Sequence, residues 1–90
     1  MNITWDPNKA AVNFKKHGVR FSDAEMVLYD PAAMTLEEHI VANEHRYMTI
    51  GTDAIGRIVV VVYSYRSDTI RLISARKATR GERKQYEEGI

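Results

Sequence analysis

The sequence predicts an α+β domain in which helices and strands occupy separate parts of the chain. Helix-start signals stand near both ends, whereas the middle holds β-branched runs separated by turn residues. This segregation favours a small, mostly antiparallel sheet of about four strands, preceded by two N-terminal helices and followed by one C-terminal helix. At 90 residues, the chain is expected to form a single domain over residues 1–90.

Two helices are predicted in the first third of the chain. Asp6-Pro7 combines an N-cap residue with a proline at the first helical position, and the helix should run to about His17 and stop at Gly18. Ser22-Asp23-Ala24-Glu25 has the form of a capping box and should open a second, shorter helix. Asp30-Pro31 is expected to end it.

The middle of the chain is predicted to form the sheet. The run Ile58–Val62 is β-branched throughout, as expected for a strand buried on both faces. A second capping box, Thr79-Arg80-Gly81-Glu82, should open the C-terminal helix. The strands are predicted, in order, at Ile3–Trp5 (short), Ala33–Leu36 (weak), His45–Gly51, Arg57–Tyr65 and Thr69–Arg76.

The net charge of +1 conceals a strong segregation of charge along the chain. Residues 1–20 carry +3, residues 21–46 carry −5 and residues 66–84 carry +5. Such asymmetry favours a polyanion or a charged protein as partner, although a mixed solvated surface would show the same pattern.

Several classes of protein are excluded or disfavoured by composition. The chain has no cysteine, which excludes disulfides and cysteine-based zinc sites. The three histidines are scattered, so no metal site and no cofactor are expected. The longest apolar run, Ile58–Tyr63, is far shorter than the ~20 residues that span a bilayer, and the N-terminus lacks the order of a signal peptide. A cytoplasmic protein without membrane contact is expected.

The cationic and imidazole groups that remain suit metal-independent cleavage of RNA. The 2′-hydroxyl of RNA is a built-in nucleophile, so the protein must move protons and stabilise charge on the phosphate. His or Glu suits the first task and Arg the second. The candidate catalytic residues are His17, Glu44, Arg46, Arg71, Ser74 and Arg76, and the candidate RNA-binding residues are Lys9, Lys16, Lys77, Arg80 and Arg83.

Structural roles for the same residues stay open at this point. His17 could simply cap its helix, where a cation is favourable with the helix dipole. Arg71 could pair with a sheet carboxylate such as Glu44, which is as good an arginine partner as it is a base. Arg80 and Arg83 could be solvated helix residues.

Hairpin geometry gives a conditional prediction about three arginines. A two-residue turn at Ser67-Asp68 would put Ser64 opposite Arg71 and Val62 opposite Ile73, and the preceding hairpin would put Arg46 opposite Val62. Arg46 and Arg71 would then project from one face of the sheet. Arg76 has the opposite parity, so it joins them only if its strand ends or bulges first.

The chain resembles BrnT-type toxins. The resemblance rests on Trp5-Asp6-Pro7-x-Lys9 and Asn13-x-x-Lys16-His17-Gly18-Val19-x-Phe21 in the first half, and on Glu44-x-Arg46 and Arg71-Leu72-Ile73-Ser74-Ala75-Arg76-Lys77-Ala78 in the second. It implies a RelE-like fold and a metal-independent ribonuclease that arrests growth by blocking translation. It also implies a cognate BrnA-like antitoxin that binds operator DNA on behalf of the pair, and it is compatible with a homodimer within that complex.

The resemblance places functional residues at Lys16, His17, Glu44, Arg46, Arg71, Ser74 and Arg76. It leaves His39 as an unassigned site residue, because Glu37-Glu38-His39 departs from the family pattern. Two other functions remain as alternatives: an RNA- or DNA-binding module without catalysis, and a protein-interaction module whose basic face meets an acidic antitoxin segment.

Overall fold

The computed structural model describes residues 1–89, which form three α-helices, one 3-10 helix and five strands. No helix in this part of the chain is long and apolar enough to cross a membrane. The elements, in chain order, are β1 (Asn2–Thr4), α1 (Pro7–His17), α2 (Phe21–Ala24), the 3-10 helix (Glu25–Tyr29), β2 (Met34–Val41), β3 (Glu44–Thr52), β4 (Ile58–Arg66), β5 (Thr69–Lys77) and α3 (Arg80–Glu88).

The predicted α+β class is confirmed, with one more strand in the sheet than the main prediction counted. The five strands lie in the order β1-β5-β4-β3-β2. All neighbours are antiparallel except β1, which runs parallel to β5 at one edge. The short N-terminal segment therefore becomes an edge strand of the sheet.

The hydrophobic core lies on one side of this sheet, which we call the core face. Val59 and Val61 of β4 are fully buried there, together with Leu72 of β5. Val60 is also fully buried although it points to the other side, as predicted for a strand covered on both faces. The remaining elements cover the core face with Val19, Phe21, Ala24 and Val27.

The start of the second helix differs from its prediction. Arg20 occupies the N-cap position without a side-chain hydrogen bond, so Ser22 lies inside the helix and the predicted capping box is wrong. The helix begins at Phe21 and continues beyond Ala24 as a 3-10 helix. Because Phe21 and Ala24 are both buried in the core, tertiary packing fixes the start of this helix.

The weakly predicted strand at 33–36 is much longer in the structure. β2 extends to Val41 because the tight turn Ala42-Asn43, with φ of 49° and 64°, folds β3 back onto it. Much of this edge strand is exposed, so the sequence there lacks the apolar alternation that marks half-buried strands.

The register of β3, β4 and β5 decides which side chains share the side opposite the core face. Ser64 faces Arg71, as predicted. Arg46 also faces Ser64 rather than Val62, which corrects the register of the other hairpin by two residues and leaves the face unchanged. Val62 faces Ser74 rather than Ile73, because a β-bulge places one extra residue in β5.

Arg76 was predicted to join Arg46 and Arg71 on one face only if its strand ended or bulged first, and the bulge in β5 meets this condition. Beyond the bulge the parity of β5 is reversed, and Arg76 lies opposite Val60. Arg76 therefore projects from the same side of the sheet as Arg46 and Arg71.

Candidate active site

The three arginines predicted to be catalytic and two serines share the sheet surface opposite the core face, which we call the arginine face, and Arg66 at the end of β4 lies on the same side. β3 contributes Arg46, β4 contributes Ser64, and β5 contributes the others, Arg71, Ser74 and Arg76. Residues directly opposite on neighbouring antiparallel strands have Cβ atoms about 4.5–5.5 Å apart, so the first three of these form one compact group.

Glu44 lies at the centre of the cations on this face. One Nη atom of Arg71 donates to both of its carboxylate oxygens, at 2.9 and 3.1 Å. Arg46 contributes an Nε contact at 3.4 Å, and Arg66 an Nη contact at 3.5 Å. Burial raises the pKa of the Glu44 carboxyl, but Arg71, Arg46 and Arg66 together outweigh this and hold it below its ordinary value. The residue is thus an ionised arginine partner, and a lowered pKa makes it a weak proton acceptor.

Two polar atoms beside this ion cluster have no hydrogen-bond partner. They are Oγ of Ser64, a residue with no exposed surface, and Nε of Arg71, which is also buried. The two residues are direct cross-strand neighbours. Buried donors without a partner are uncommon in folded proteins, so this pair marks a place where binding could supply one.

Arg76 is held by the C-terminal helix. Its two Nη atoms donate to the two carboxylate oxygens of Glu82, at 2.8 and 3.0 Å. Glu82 also accepts from the backbone N–H of Thr79, whose hydroxyl accepts in return from the backbone of Glu82. The predicted capping box is confirmed and is joined to an ion pair. The hydrogen bonds from Arg76 are the main reason that the pKa of Glu82 falls to about 2.

The same helix is fixed at its other end by a tyrosine. The Tyr86 hydroxyl donates to Oδ2 of Asp30 at 2.6 Å and lies 3.0 Å from the hydroxyl of Thr52. Asp30 also accepts from the backbone N–H of Thr52 at 2.8 Å. The hydrogen bond to the Asp30 carboxylate is the main reason that the pKa of Tyr86 is raised. Helix α3 therefore borders the arginine face in a defined position.

Helix α1 is fixed to β5 by one buried amide. Asn13 donates to the carbonyls of Ala75 at 2.8 Å and Val19 at 3.1 Å, and accepts from the backbone N–H of Ala75 at 3.0 Å. Strand β1 pairs only with residues 69–71 of β5. Beyond the end of β1, the Asn13 side chain therefore supplies the hydrogen-bond partners that the backbone of β5 needs at Ala75. This bond places α1 beside the segment that carries Ser74 and Arg76.

The predicted RNA-binding residues fall into two groups outside the arginine face. Lys9, Lys16 and His17 line a cavity of about 330 Å³ between α1 and Ile73. At another position, Lys77 and Arg83 line a cavity of about 350 Å³ together with Arg57. Arg80 is exposed in the first turn of α3.

The structure therefore brings together part of the predicted catalytic set. Glu44, Arg46, Arg71, Ser74 and Arg76 share the arginine face or its border, whereas His17 lies in the α1 cavity. His39 stands directly opposite Arg46 on β2 and is exposed, which puts an imidazole on the arginine face. Within residues 1–89, no three His, Asp or Glu side chains come together in a group that could hold a metal ion.

Sequence reasoning missed three residues that shape the site. Asn13 appeared only in the family motif, and nothing in its neighbourhood in sequence reveals a partner 62 residues away. Glu82 was recognised for its capping box but not for its pairing with Arg76. Ser64 was correctly predicted to lie opposite Arg71, but it was not among the candidate site residues.

These features define a small α+β protein with a cationic sheet face of the kind that binds phosphate groups. A family model described as "Ribonuclease toxin, BrnT, of type II toxin-antitoxin system" matches residues 5–82. The chain therefore belongs to the BrnT family of ribonuclease toxins, which confirms the resemblance seen in the sequence.

Comparison with solved structures gives the same family. The crystal structure of the Brucella abortus ribonuclease toxin BrnT superposes with a TM-score of 0.67 at 31% sequence identity. The match covers 89% of this chain and 99% of the Brucella chain. No significant match was found among curated proteins. The family has ribonuclease activity and belongs to type II systems, in which a toxin is paired with an antitoxin.

Proposed function

We propose that this protein is a metal-independent endoribonuclease toxin that cleaves RNA by attack of the 2′-hydroxyl on the adjacent phosphate and thereby inhibits translation. One observation carries the proposal: the bulge in β5 puts Arg76 on the same face as Arg46 and Arg71. Three guanidinium groups on one surface can stabilise the charge that develops on a phosphate in the transition state.

The arginines have different surroundings and hence different tasks. Arg46 and Arg71 share Glu44 and flank Ser64 from the two strands next to β4, which suits them to bind the scissile phosphate together. Arg76 is oriented by Glu82, and Ser74 lies two positions before it with a hydroxyl that can donate to the same phosphate. We assign to Arg76 the stabilisation of the charge that develops on the phosphate in the transition state.

Proton transfer has three candidates. Glu44 is disfavoured as the base because three arginines lower the pKa of its carboxyl. His17 lies at the end of α1 in the cavity beside Ile73. His39 is the direct cross-strand neighbour of Arg46. An imidazole can take the proton from the attacking 2′-hydroxyl and give one to the 5′-oxygen that leaves as the P–O bond breaks. We assign the proton transfer to the histidines, with His39 favoured by its place on the arginine face.

The basic groups outside the arginine face provide a path for the rest of the RNA. Lys9 and Lys16 lie on α1, and Lys77, Arg80 and Arg83 lie around the start of α3. Because such side chains contact phosphates without reading bases, they add affinity that falls as the salt concentration rises.

The proposed partner is a cognate antitoxin that covers the arginine face. The arginines there already hold carboxylates, Glu44 and Glu82, so an acidic segment of a partner has suitable chemistry. An antitoxin bound in this way would exclude RNA from the same surface. It would carry the operator-binding domain of a cytoplasmic complex that can include a toxin homodimer.

The function is tested by incubating RNA with purified protein in EDTA. Cleavage is expected for the wild type, and Arg76→Ala should lose at least tenfold in rate. Arg20→Ala is the matched control, because Arg20 stacks on Phe14 at 4.3 Å, away from this site. Cutting that requires added divalent metal would contradict the mechanism. Salt-sensitive binding without any product would instead identify a non-catalytic RNA-binding module.

The histidine assignment needs its own comparison. His39→Ala should reduce the cleavage rate more than His17→Ala, and each should be measured across pH 5–8, where a histidine changes charge. If His39→Ala keeps the wild-type rate and pH profile, the assignment of proton transfer to His39 is wrong.

A further inference from the structure

We propose that Glu44 occupies the place of an RNA phosphate in the free protein, and that RNA binds to the arginine face by displacing this carboxylate. The inference rests on the proposed function, because it takes RNA as the ligand. It assigns Glu44 a role as an internal competitor that also positions the arginines, in place of the role of base considered from the sequence.

The hydrogen bonds of Arg71 show a binding surface that is only half used. Glu44 takes both of its bonds from one Nη atom, and Nε of the same guanidinium has no partner. A phosphodiester has two non-bridging oxygens, which can accept from Nε and Nη of one arginine at the same time. A phosphate in place of Glu44 would thus satisfy a donor that the carboxylate leaves free.

Ser64 points to the same conclusion independently. Its hydroxyl is buried without a partner, directly opposite Arg71 on the neighbouring strand. Neither of these orphan donors is explained by the packing of the free protein. Both would gain an acceptor if an anion with more oxygens than a carboxylate entered the cluster.

Charge and position allow the exchange. Three arginines contact a single carboxylate, so the cluster keeps excess positive charge with Glu44 in place. Glu44 is the first residue of β3, beside the Ala42-Asn43 turn, and it precedes the residues that pair with β4. A cavity of about 470 Å³, lined by Glu44 and Arg66 among others, opens next to it. The side chain can therefore turn away without disturbing the sheet.

The test compares binding of a short 2′-O-methyl RNA, which lacks the nucleophile, to the wild type, Glu44→Gln and Glu38→Gln. Glu38 is the matched control because it lies on the same hairpin, pairs with His45 at 3.0 Å and loses the same charge when substituted. We expect Glu44→Gln to bind at least fivefold more tightly than the wild type and Glu38→Gln to change affinity less than twofold. If Glu44→Gln and Glu38→Gln change the RNA affinity equally, the effect comes from net charge alone. If Glu44→Gln binds RNA more weakly than the wild type, Glu44 only holds the arginines in place. Either outcome overturns the proposal.

A second measurement needs no variant. The ¹⁵N–¹H resonance of Arg71 Nε should shift when the same RNA is added to the wild-type protein, because that donor gains an acceptor. An unchanged resonance at saturating RNA would overturn the exchange. Both measurements report RNA binding and not cleavage. If the protein cuts no RNA but Glu44→Gln still binds RNA more tightly than the wild type, the proposed ribonuclease activity is wrong and the proposed exchange of Glu44 for a phosphate is supported.

Discussion

Arg76 and Glu82 join strand β5 to helix α3 through two parallel hydrogen bonds of 2.8 and 3.0 Å. The same carboxylate completes the capping box by accepting from the backbone N–H of Thr79 at 2.9 Å. A residue proposed to stabilise the transition state thus also fixes the C-terminal helix. Loss of activity in Arg76→Ala must therefore be compared with its loss of stability, and Glu82 offers the way to separate the two.

Glu82→Gln should remove an acid-sensitive part of the stability. The pKa of Glu82 falls from 4.5 to about 2 in the folded protein, so its contribution is fully present above pH ~4.5 and is lost as the pH falls through ~2. At about 1.4 kcal/mol per pKa unit, the contribution at neutral pH is at most ~3.5 kcal/mol. Urea unfolding at pH 7, 4 and 2 should show wild type and variant converging as the pH falls. A constant difference would contradict this origin.

Asn13→Ala should destabilise the protein by about 2–4 kcal/mol. The substitution removes three buried hydrogen bonds and leaves the backbone N–H and C=O of Ala75 without the partners that the amide supplied. Asn8→Ala, an exposed change on the same helix, should cost less than about 0.5 kcal/mol. Denaturant unfolding measures the free energy of unfolding of both variants. Similar losses of stability in Asn13→Ala and Asn8→Ala would show that the hydrogen bonds to Ala75 do not stabilise the fold.

Tyr86→Phe should cost about 1–2 kcal/mol, because the hydroxyl donates to an ionised carboxylate at 2.6 Å. Tyr29→Phe is the matched control, since Tyr29 is about half exposed at the end of the 3-10 helix. Amide hydrogen exchange in α3 should also rise in Tyr86→Phe, as the helix loses its attachment to Asp30. Unchanged exchange in α3 would show that the ion pair with Arg76 suffices to hold the helix.

Gly51→Ala should be destabilising by about 1–3 kcal/mol, because an added Cβ would lie 3.0 Å from Val27 Cγ1 and 3.1 Å from Asp30 Oδ2. Gly81→Ala has no neighbour within 4 Å and lies inside α3, where alanine is the better helix former. It should be neutral or stabilise by up to about 1 kcal/mol. Thermal unfolding of the pair checks the contrast, and a neutral Gly51→Ala would mean that the 3-10 helix can move away from β3.

Local sequence signals predicted the elements that depend on local chemistry. Helix α1 begins after Asp6 and ends before Gly18 as predicted, because a cap and a left-handed glycine act within a few residues. The capping box of α3 is equally local. The start of the second helix was predicted wrongly because burial of Phe21 outweighed the cap signal at Ser22. The length of β2 escaped prediction because an exposed edge strand has no hydrophobic period.

The candidate site, like the fold, was predicted from the sequence only where local signals were enough. The cationic residue types and the family motif were legible in the sequence, and the shared face of Arg46 and Arg71 followed from hairpin parity. The parity of Arg76 could be stated only as a condition. A bulge depends on how β5 packs and pairs with β4, and no local residue signal announced it.

The sequence by itself determined the α+β class, the order of most elements, the family and the residue types that bear charge. Only the tertiary structure decided which charges meet: Arg71 with Glu44, Arg76 with Glu82, and Asn13 with a strand 62 residues away. The physical reason is range. Caps and periodicities act over a few residues, whereas ion pairs and edge hydrogen bonds join segments that only the packed sheet brings together.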